Sequence, residues 1–290
     1  MTGRSDRVVG RVLQLFAILT ALMLVLLLSV FIIQSVRPFV GGSRTQLLGF
    51  LTGARWRPEH QQLFGILPLL IATLVSSIAA VALAAVLAVP AALLVSEWFP
   101  AWWRKVVRSF AEIAAHVPPV VYGLFALMVF VPLLESLGAA EGRSLGAVIL
   151  VLLFMSTPSL FARSIDVFQS VPERWRTAAV SLGASPVQTA WQIVYPAARS
   201  RILAAALQTG VRAIGETAAV VMVAGNSPQL PGRLSDSVRT LTGTVLLEMG
   251  YAQGVHYQVL FSIAVVLLVL VFAVQAAARR LQRGESGESQ

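Results

Sequence analysis

The sequence predicts an all-α polytopic membrane protein with about six membrane-spanning helices. Three observations carry this reading. Hydrophobic residues make up 57% of the 290 residues and charged residues only 12%, with a mean hydropathy of +0.79, whereas soluble chains average about 25% charged. Runs without a single charge recur, and the longest exceed the roughly 20 residues a helix needs to cross a bilayer. The basic residues sit beside those runs rather than in one patch, so the net charge of +9 reads as a topology signal and not as a nucleic-acid surface. Cysteine is absent, which removes disulfides and thiolate chemistry.

The first span, residues 12–33, is 22 residues without charge and follows Arg4, Arg7 and Arg11. It is too long for the core of a cleaved signal peptide and no small-residue cleavage site follows, so it is read as retained. Residues 37–63, with Gly41-Gly42 and Trp56-Arg57-Pro58, are polar and are placed outside the cytoplasm. The second span, residues 66–96, is 31 residues long, and Pro68 and Pro90 supply causes for bends near its ends. Trp98, Trp102 and Trp103 then mark an interface, and Arg104, Lys105 and Arg108 return the chain to the inner side.

Third and fourth spans, residues 113–134 and 145–161, flank a short turn, and Pro118, Pro119, Pro132 and Pro158 read as hinges for gating or, by default, as packing kinks. Residues 163–201 form a polar segment with five arginines. The fifth and sixth spans are residues 202–225 and 259–278, closed by Arg279, Arg280 and Arg283. The inner segments of this topology hold 14 of the 22 Lys and Arg and the outer ones 7, with Arg212 inside a span. That bias places both termini in the cytoplasm. Between the last two spans, Leu234, Val238, Leu241, Val245 and Met249 fall at helical spacing, which predicts an amphipathic helix at the outer interface.

Three units follow from this order: an N-terminal tail, first helix and outer loop over residues 1–65, a transmembrane core over 66–281, and a cytoplasmic tail over 282–290. Within the core, residues 177–196 read as helix, turn, helix. Ala178, Ala179 and Leu182 suit a short helix, Gly183 with Ser185-Pro186 suits its end and a turn, and a second short helix stops at Pro196. Such a unit is a knob that a separate motor protein can grip.

Arg212 and Glu216 lie midway through the fifth span, four residues apart and so on one face of a helix. Ionised groups at that depth cost several kcal/mol unless paired or hydrated. Two readings stand. The pair holds helices together, or Arg212 offers a cation to an anion on its pathway while Glu216 positions or neutralises it; a planar donor fork suits a tetrahedral oxyanion. Gly210, Gly215 and Ala219 are expected to admit a close helix neighbour. Glu112 and His116, one turn apart, are a candidate proton-handling pair or an interfacial contact.

Residues 177–196 resemble the cytoplasmic coupling loop of ATP-binding-cassette (ABC) importer permeases, whose pattern is Glu-Ala-Ala, three residues, Gly, nine residues, Ile, one residue, Leu-Pro. Ala178, Ala179, Gly183, Ile193 and Pro196 fall on it, while Thr177 stands where Glu is usual and Tyr195 where Leu is usual. The resemblance then narrows. The runs Arg212-Ala213-Ile214-Gly215-Glu216-Thr217 and Met222-Val223-Ala224-Gly225-Asn226 are similar to those of phosphate-uptake permeases of the PstC type. So is the run from His116 to Leu124 with its Val120-Val121-Tyr122-Gly123, and so are the blocks around Phe64, Thr73, Arg239 and Glu248.

That resemblance implies a type I ABC importer permease fold in the cell inner membrane. It also implies three partners: a PstA-type sister permease, a dimer of ABC ATPases and an extracytoplasmic phosphate-binding protein. ATP and Mg belong to the ATPase, and no cofactor is expected on this chain. The implied activity is import of inorganic phosphate by alternating access, with Thr177, Ala178, Ala179, Gly183, Ile193 and Pro196 docking on the ATPase and Arg212 and Glu216 near the route. Thr177 removes any salt bridge the usual Glu makes, and Glu173 stands one turn earlier as a substitute.

Lys105 is the only lysine, so a Gly-x-x-x-x-Gly-Lys nucleotide loop is impossible here. With neither a His-Glu-x-x-His nor a Gly-x-Ser-x-Gly motif, the sequence reads as a transport subunit and not an enzyme. Sulfate, molybdate or phosphonate permeases, and an ion-coupled secondary transporter, are the alternatives.

Overall fold

A computed structural model describes residues 5–40, 46–138 and 141–284. Arg4, Gly41-Gly42, Arg44 and tail residues 285–290, all used in the topology above, lie outside the described residues. The described chain is helical apart from one short hairpin. In order it contains α1 (Ser5–Val36), α2 (Leu47–Thr52), β1 (Trp56–Arg57), α3 (Pro58–Gln61), β2 (Leu63–Phe64), α4 (Leu67–Trp98), α5 (Ala101–Ala115), α6 (Pro119–Ser136) and α7 (Leu145–Gln169). Then follow α8 (Glu173–Ser181), α9 (Pro186–Gln188), a π-helical turn (Thr189–Val194), α10 (Tyr195–Gly215), α11 (Ala218–Val223), α12 (Leu241–Glu248) and α13 (Gly254–Gly284). β1 and β2 pair antiparallel, Trp56 opposite Phe64.

Five helices among the described residues are long and apolar enough to cross a membrane: α1, α4, α6, α7 and α13. The expected third span starts later than predicted. Pro118 and Pro119 disfavour helix in the residues before them, so residues 101–115 form the separate helix α5 and the span proper begins at Pro119. The expected fifth span is not one helix. α10 ends at Gly215, Glu216 is extended (φ −70°, ψ 131°), and α11 restarts at Ala218.

The predicted amphipathic helix over residues 234–249 shrinks to α12. Leu234 and Val238 lie in the preceding loop, where Val238 forms a bridge with Gly225. Turn-forming Pro228, Pro231 and Gly232 outweigh the helical spacing there.

Small residues let the bundle close. α4 packs chiefly on α7, with Ala72, Ala80, Ala84 and Ala88 fully or almost fully buried. A central cluster joins Ala72 and Ala80 of α4, Phe130 of α6, Val148, Val151 and Leu152 of α7, and Val220 and Val223 of α11. One end of the bundle is closed by Phe50, Trp56, Phe64, Ile66, Leu241 and Leu260. The other end is closed by Leu93, Val95, Phe168, Val171, Ala190 and Val194. α1 packs against α13 and leaves almost all its apolar surface exposed, as a lipid-facing helix would.

Candidate functional site

The break between α10 and α11 is built from Glu216 itself. One carboxylate oxygen accepts hydrogen bonds from the N–H groups of Thr217 (3.1 Å) and Ala219 (3.2 Å), satisfying donors that the start of α11 would otherwise leave open. The Glu216 carbonyl accepts the Thr242 hydroxyl at 3.0 Å, tying the break to α12. Arg212 lies one turn back. Its Nη1 donates to the carbonyl of Ala115 at 3.1 Å, at the C-terminal end of α5, and the Tyr122 hydroxyl donates to the neighbouring Ala114 carbonyl at 2.8 Å.

Arg212 and Glu216 therefore do not form the ion pair that four-residue spacing suggested. Among the described residues no ion pair joins them, because Glu216 has left the helical path and turned its carboxylate toward α11. Arg212 is exposed and Glu216 half-buried. The Arg212 guanidinium beside the broken helix can receive an anion, while the negative charge favoured at the start of α11 is supplied by Glu216 itself.

Of the close approaches expected at Gly210, Gly215 and Ala219, the one at Ala219 occurs within this chain, against Gly123 of α6. Added Cβ atoms at Gly210 and Gly215 meet nothing within 4 Å. At Gly123 one would lie 2.7 Å from Met222 Sδ and 2.9 Å from Ala219 Cα, so Gly123 is what allows α6 to lie against α11. The Glu112–His116 pair is also revised: His116 Nδ1 faces the Glu112 backbone carbonyl at 2.6 Å, while the Glu112 carboxylate pairs with Arg108 at 2.9 Å.

The helix–turn–helix knob begins with α8. Its end is fixed by Gly183 (φ +86°), with Gly183 N–H bonded to the Val180 carbonyl at 2.9 Å and Ala184 N–H to that of Ala179 at 3.0 Å, a Schellman motif. Ser185 and Gln188 then form a capping box. The chain does not stop at Pro196 as expected. It widens into the π-helical turn, a geometry that accommodates a proline lacking an N–H, and runs on into α10.

Ala179 is buried, Ile193 half-buried, and Thr177, Ala178, Gly183 and Pro196 are exposed. The Thr177 hydroxyl donates to the Glu173 carbonyl at 3.2 Å. The knob is anchored by a residue that sequence reasoning did not single out. Arg176 donates Nε and Nη2 to the Glu97 carboxylate at 3.0 and 2.9 Å, and it also donates to the carbonyls of Val171 and Phe168 at 2.7 and 2.9 Å. Hydrogen bonding to Glu97 holds the Arg176 pKa above its ordinary value although burial acts the other way.

A second unforeseen network sits at the opposite end. Glu248, 3% exposed, receives Trp56 Nε1 at 3.0 Å and Arg239 Nη1 at 2.6 Å, and lies 2.8 Å from His256 Nε2. Arg239 Nε donates to the Asn226 carbonyl at 2.7 Å. The hub thus links the hairpin, α12, α13 and the loop that follows α11.

Residues 88–286 match the family described as "Binding-protein-dependent transport system inner membrane component". The chain belongs to this family. Of curated relatives, a probable ABC transporter permease protein, YqgH, from Bacillus subtilis (strain 168) is 34% identical over 227 residues, covering 77% of this chain and 74% of that protein. The phosphate transport system permease protein PstC of Haemophilus influenzae is 28% identical over 288 residues, covering 91% of this chain and 89% of that one.

Among solved structures, an inward-facing MetNI methionine ABC transporter matches with a TM-score of 0.59 at 18% identity, covering 76% of this chain and 95% of that one. This last likeness shows the fold, that of a type I ABC importer permease. The chain is accordingly a multi-pass inner-membrane permease of the ABC importer class, a transport component and not an enzyme.

Proposed function

We propose that this permease carries inorganic phosphate into the cytoplasm by alternating access, with both termini in the cytoplasm. It would do so with a PstA-type sister permease, two ATPase subunits that hold ATP and Mg, and an extracytoplasmic phosphate-binding protein. The observation that carries the reading is Arg212 beside the Glu216 helix break. An exposed cation at a broken membrane helix is what a tetrahedral oxyanion needs midway through a bilayer. PstC names on relatives spanning most of the chain support phosphate over other oxyanions.

In this reading residues 177–196 dock on the ATPase. Thr177 through Ala179, Gly183, Ile193 and Pro196 form or shape the contact surface, and the Arg176–Glu97 anchor passes force from α8 to α4. The core over residues 66–281 would be the transporting unit, with α1 packed on α13 and the hairpin joined to it through Trp56.

Reconstitution tests the proposal. Liposomes containing this chain, its sister permease and the ATPase, with binding protein outside, should accumulate labelled phosphate only with ATP, and excess sulfate or molybdate should not compete. Uptake of another oxyanion in place of phosphate would leave the ABC assignment standing and remove the substrate.

A further inference from the structure

A cationic cavity lies away from the helix break, between the α4–α5 elbow and α8. It has a volume of about 470 Å³, and its lining includes Glu97, Arg104, Lys105, Gln169, Glu173 and Arg176. The charges in it are unevenly matched. Glu97 is spoken for by the two-pronged Arg176 contact. Arg104 donates Nη1 only to a neutral partner, the Ser96 carbonyl at 3.0 Å. Among the described residues Lys105 has no carboxylate within 4 Å. The cavity's other acid, Glu173, lies 3.4 Å from Arg176 and is 80% exposed, so Arg104 and Lys105 face the cavity without an ion-pair partner.

The backbone adds to this. Helices α5 and α8 both present their first residue, Ala101 and Glu173, to the cavity, and both start after a proline, Pro100 and Pro172, whose side chain caps nothing. The first turn of α5 holds no acid. The dipole of the α5 start thus reinforces the side-chain charge, while Glu173 in the first turn of α8 offsets the dipole of that helix.

The surroundings point to where the anion comes from. Trp102 and Trp103, next to Arg104 and Lys105, stack at 5.2 Å with 25° between ring planes and are 62% and 42% exposed. Trp98 and Phe99 are exposed on the same elbow. Aromatic rings of this kind settle at the headgroup level of a bilayer, beside which lysine and arginine meet lipid phosphates.

We propose that this cavity binds a phosphate group, supplied by the headgroup of an anionic phospholipid, and that the bound lipid bridges the α4–α5 elbow to α8. Lys105 and Arg104 hold the phosphate oxygens. Neither Arg212 nor Glu216 lines the cavity, so the site does not depend on which oxyanion is carried.

The test uses the full chain in complex with its sister permease and ATPase, delipidated in detergent and titrated with short-chain phosphatidylglycerol, short-chain phosphatidylcholine or inorganic phosphate. Saturable binding of phosphatidylglycerol but not phosphatidylcholine is expected. Lys105→Gln and Arg104→Gln should each weaken it about tenfold, the loss of one charge-assisted hydrogen bond. Arg279→Gln, a charge change on α13, is the control and should leave it unchanged. Because Lys105 is exposed, its variant should fold. If inorganic phosphate alone shows the Lys105-dependent affinity, the phosphate site stands with a soluble ligand in place of the lipid. If neither ligand depends on Lys105 or Arg104, the proposal is wrong.

Discussion

Arg176 and Glu97, 79 residues apart in the chain, meet in a two-pronged ion pair that fastens α8 to the end of α4. Their side chains are 15% and 11% exposed, so the pair is partly withdrawn from water and removal of one member strands the other. Glu97→Gln should lower stability by about 1–3 kcal/mol and free α8. The measurements are the melting temperature of the purified chain and limited proteolysis between α7 and α10, which should speed up. Unchanged cleavage would mean that the carbonyl contacts of Arg176 suffice.

Glu248 is the most buried acid described and serves three partners at once. Glu248→Ala leaves Arg239 without its counter-charge in a protein interior and should cost about 3–5 kcal/mol. Because Trp56 loses its acceptor, its fluorescence should shift to the red as the hairpin loosens. Glu248→Gln, which still accepts from Trp56, should show a smaller shift.

Gly225 adopts φ +75°, and a Cβ there would run into the Ser237 side chain and lie 3.0 Å from the Arg143 carbonyl. Gly225→Ala combines backbone strain with overlap and should destabilise the chain by about 2 kcal/mol. Gly215→Ala, open within this chain, is the contrasting variant, and thermal melting of the two compares them.

Asp236 accepts the N–H groups of Gly232 and Arg233, both at 2.8 Å, and these bonds hold its pKa below the ordinary carboxylate value of 3.8. A depressed folded-state pKa means that the ordering of this loop is complete above the unfolded value. It is lost as pH falls through the lower folded value. Hydrogen exchange over residues 229–240 should therefore show protection at neutral pH that disappears only below about pH 4. Asp236→Ala should lack the protection at every pH, whereas Asp236→Asn, whose amide oxygen still accepts, should keep part of it without the pH dependence.

Much of the bundle was legible because charge-free runs are long and bounded by arginine and tryptophan. α4 coincides with its run to within two residues, while α1 (Ser5–Val36) and α13 (Gly254–Gly284) contain the expected spans 12–33 and 259–278 and extend beyond them at both ends. The Pro118-Pro119 step carried the signal that splits α5 from α6, a signal outweighed by the apolar run around it. The break at Glu216 was hidden by its own spacing, since Arg212 and Glu216 fit a helical i, i+4 pair. Only hydrogen bonding to Thr217 and Ala219, a local competition with the helix, reveals otherwise.

Leu234 and Val238 matched a helical stripe by coincidence of spacing, with Pro231-Gly232 overriding it. Arg176–Glu97 and Glu248–Trp56 join residues far apart in sequence, and no local pattern announces them.

The most direct measurement is phosphate uptake by the reconstituted importer carrying Arg212→Gln, read beside its assembly and its binding-protein-stimulated ATP hydrolysis. The account predicts an assembled complex that still hydrolyses ATP and has lost most phosphate uptake, since the cation facing the route is gone. Uptake at the level of the unaltered complex would show that phosphate does not meet Arg212, and the pathway through the Glu216 break would fall with it.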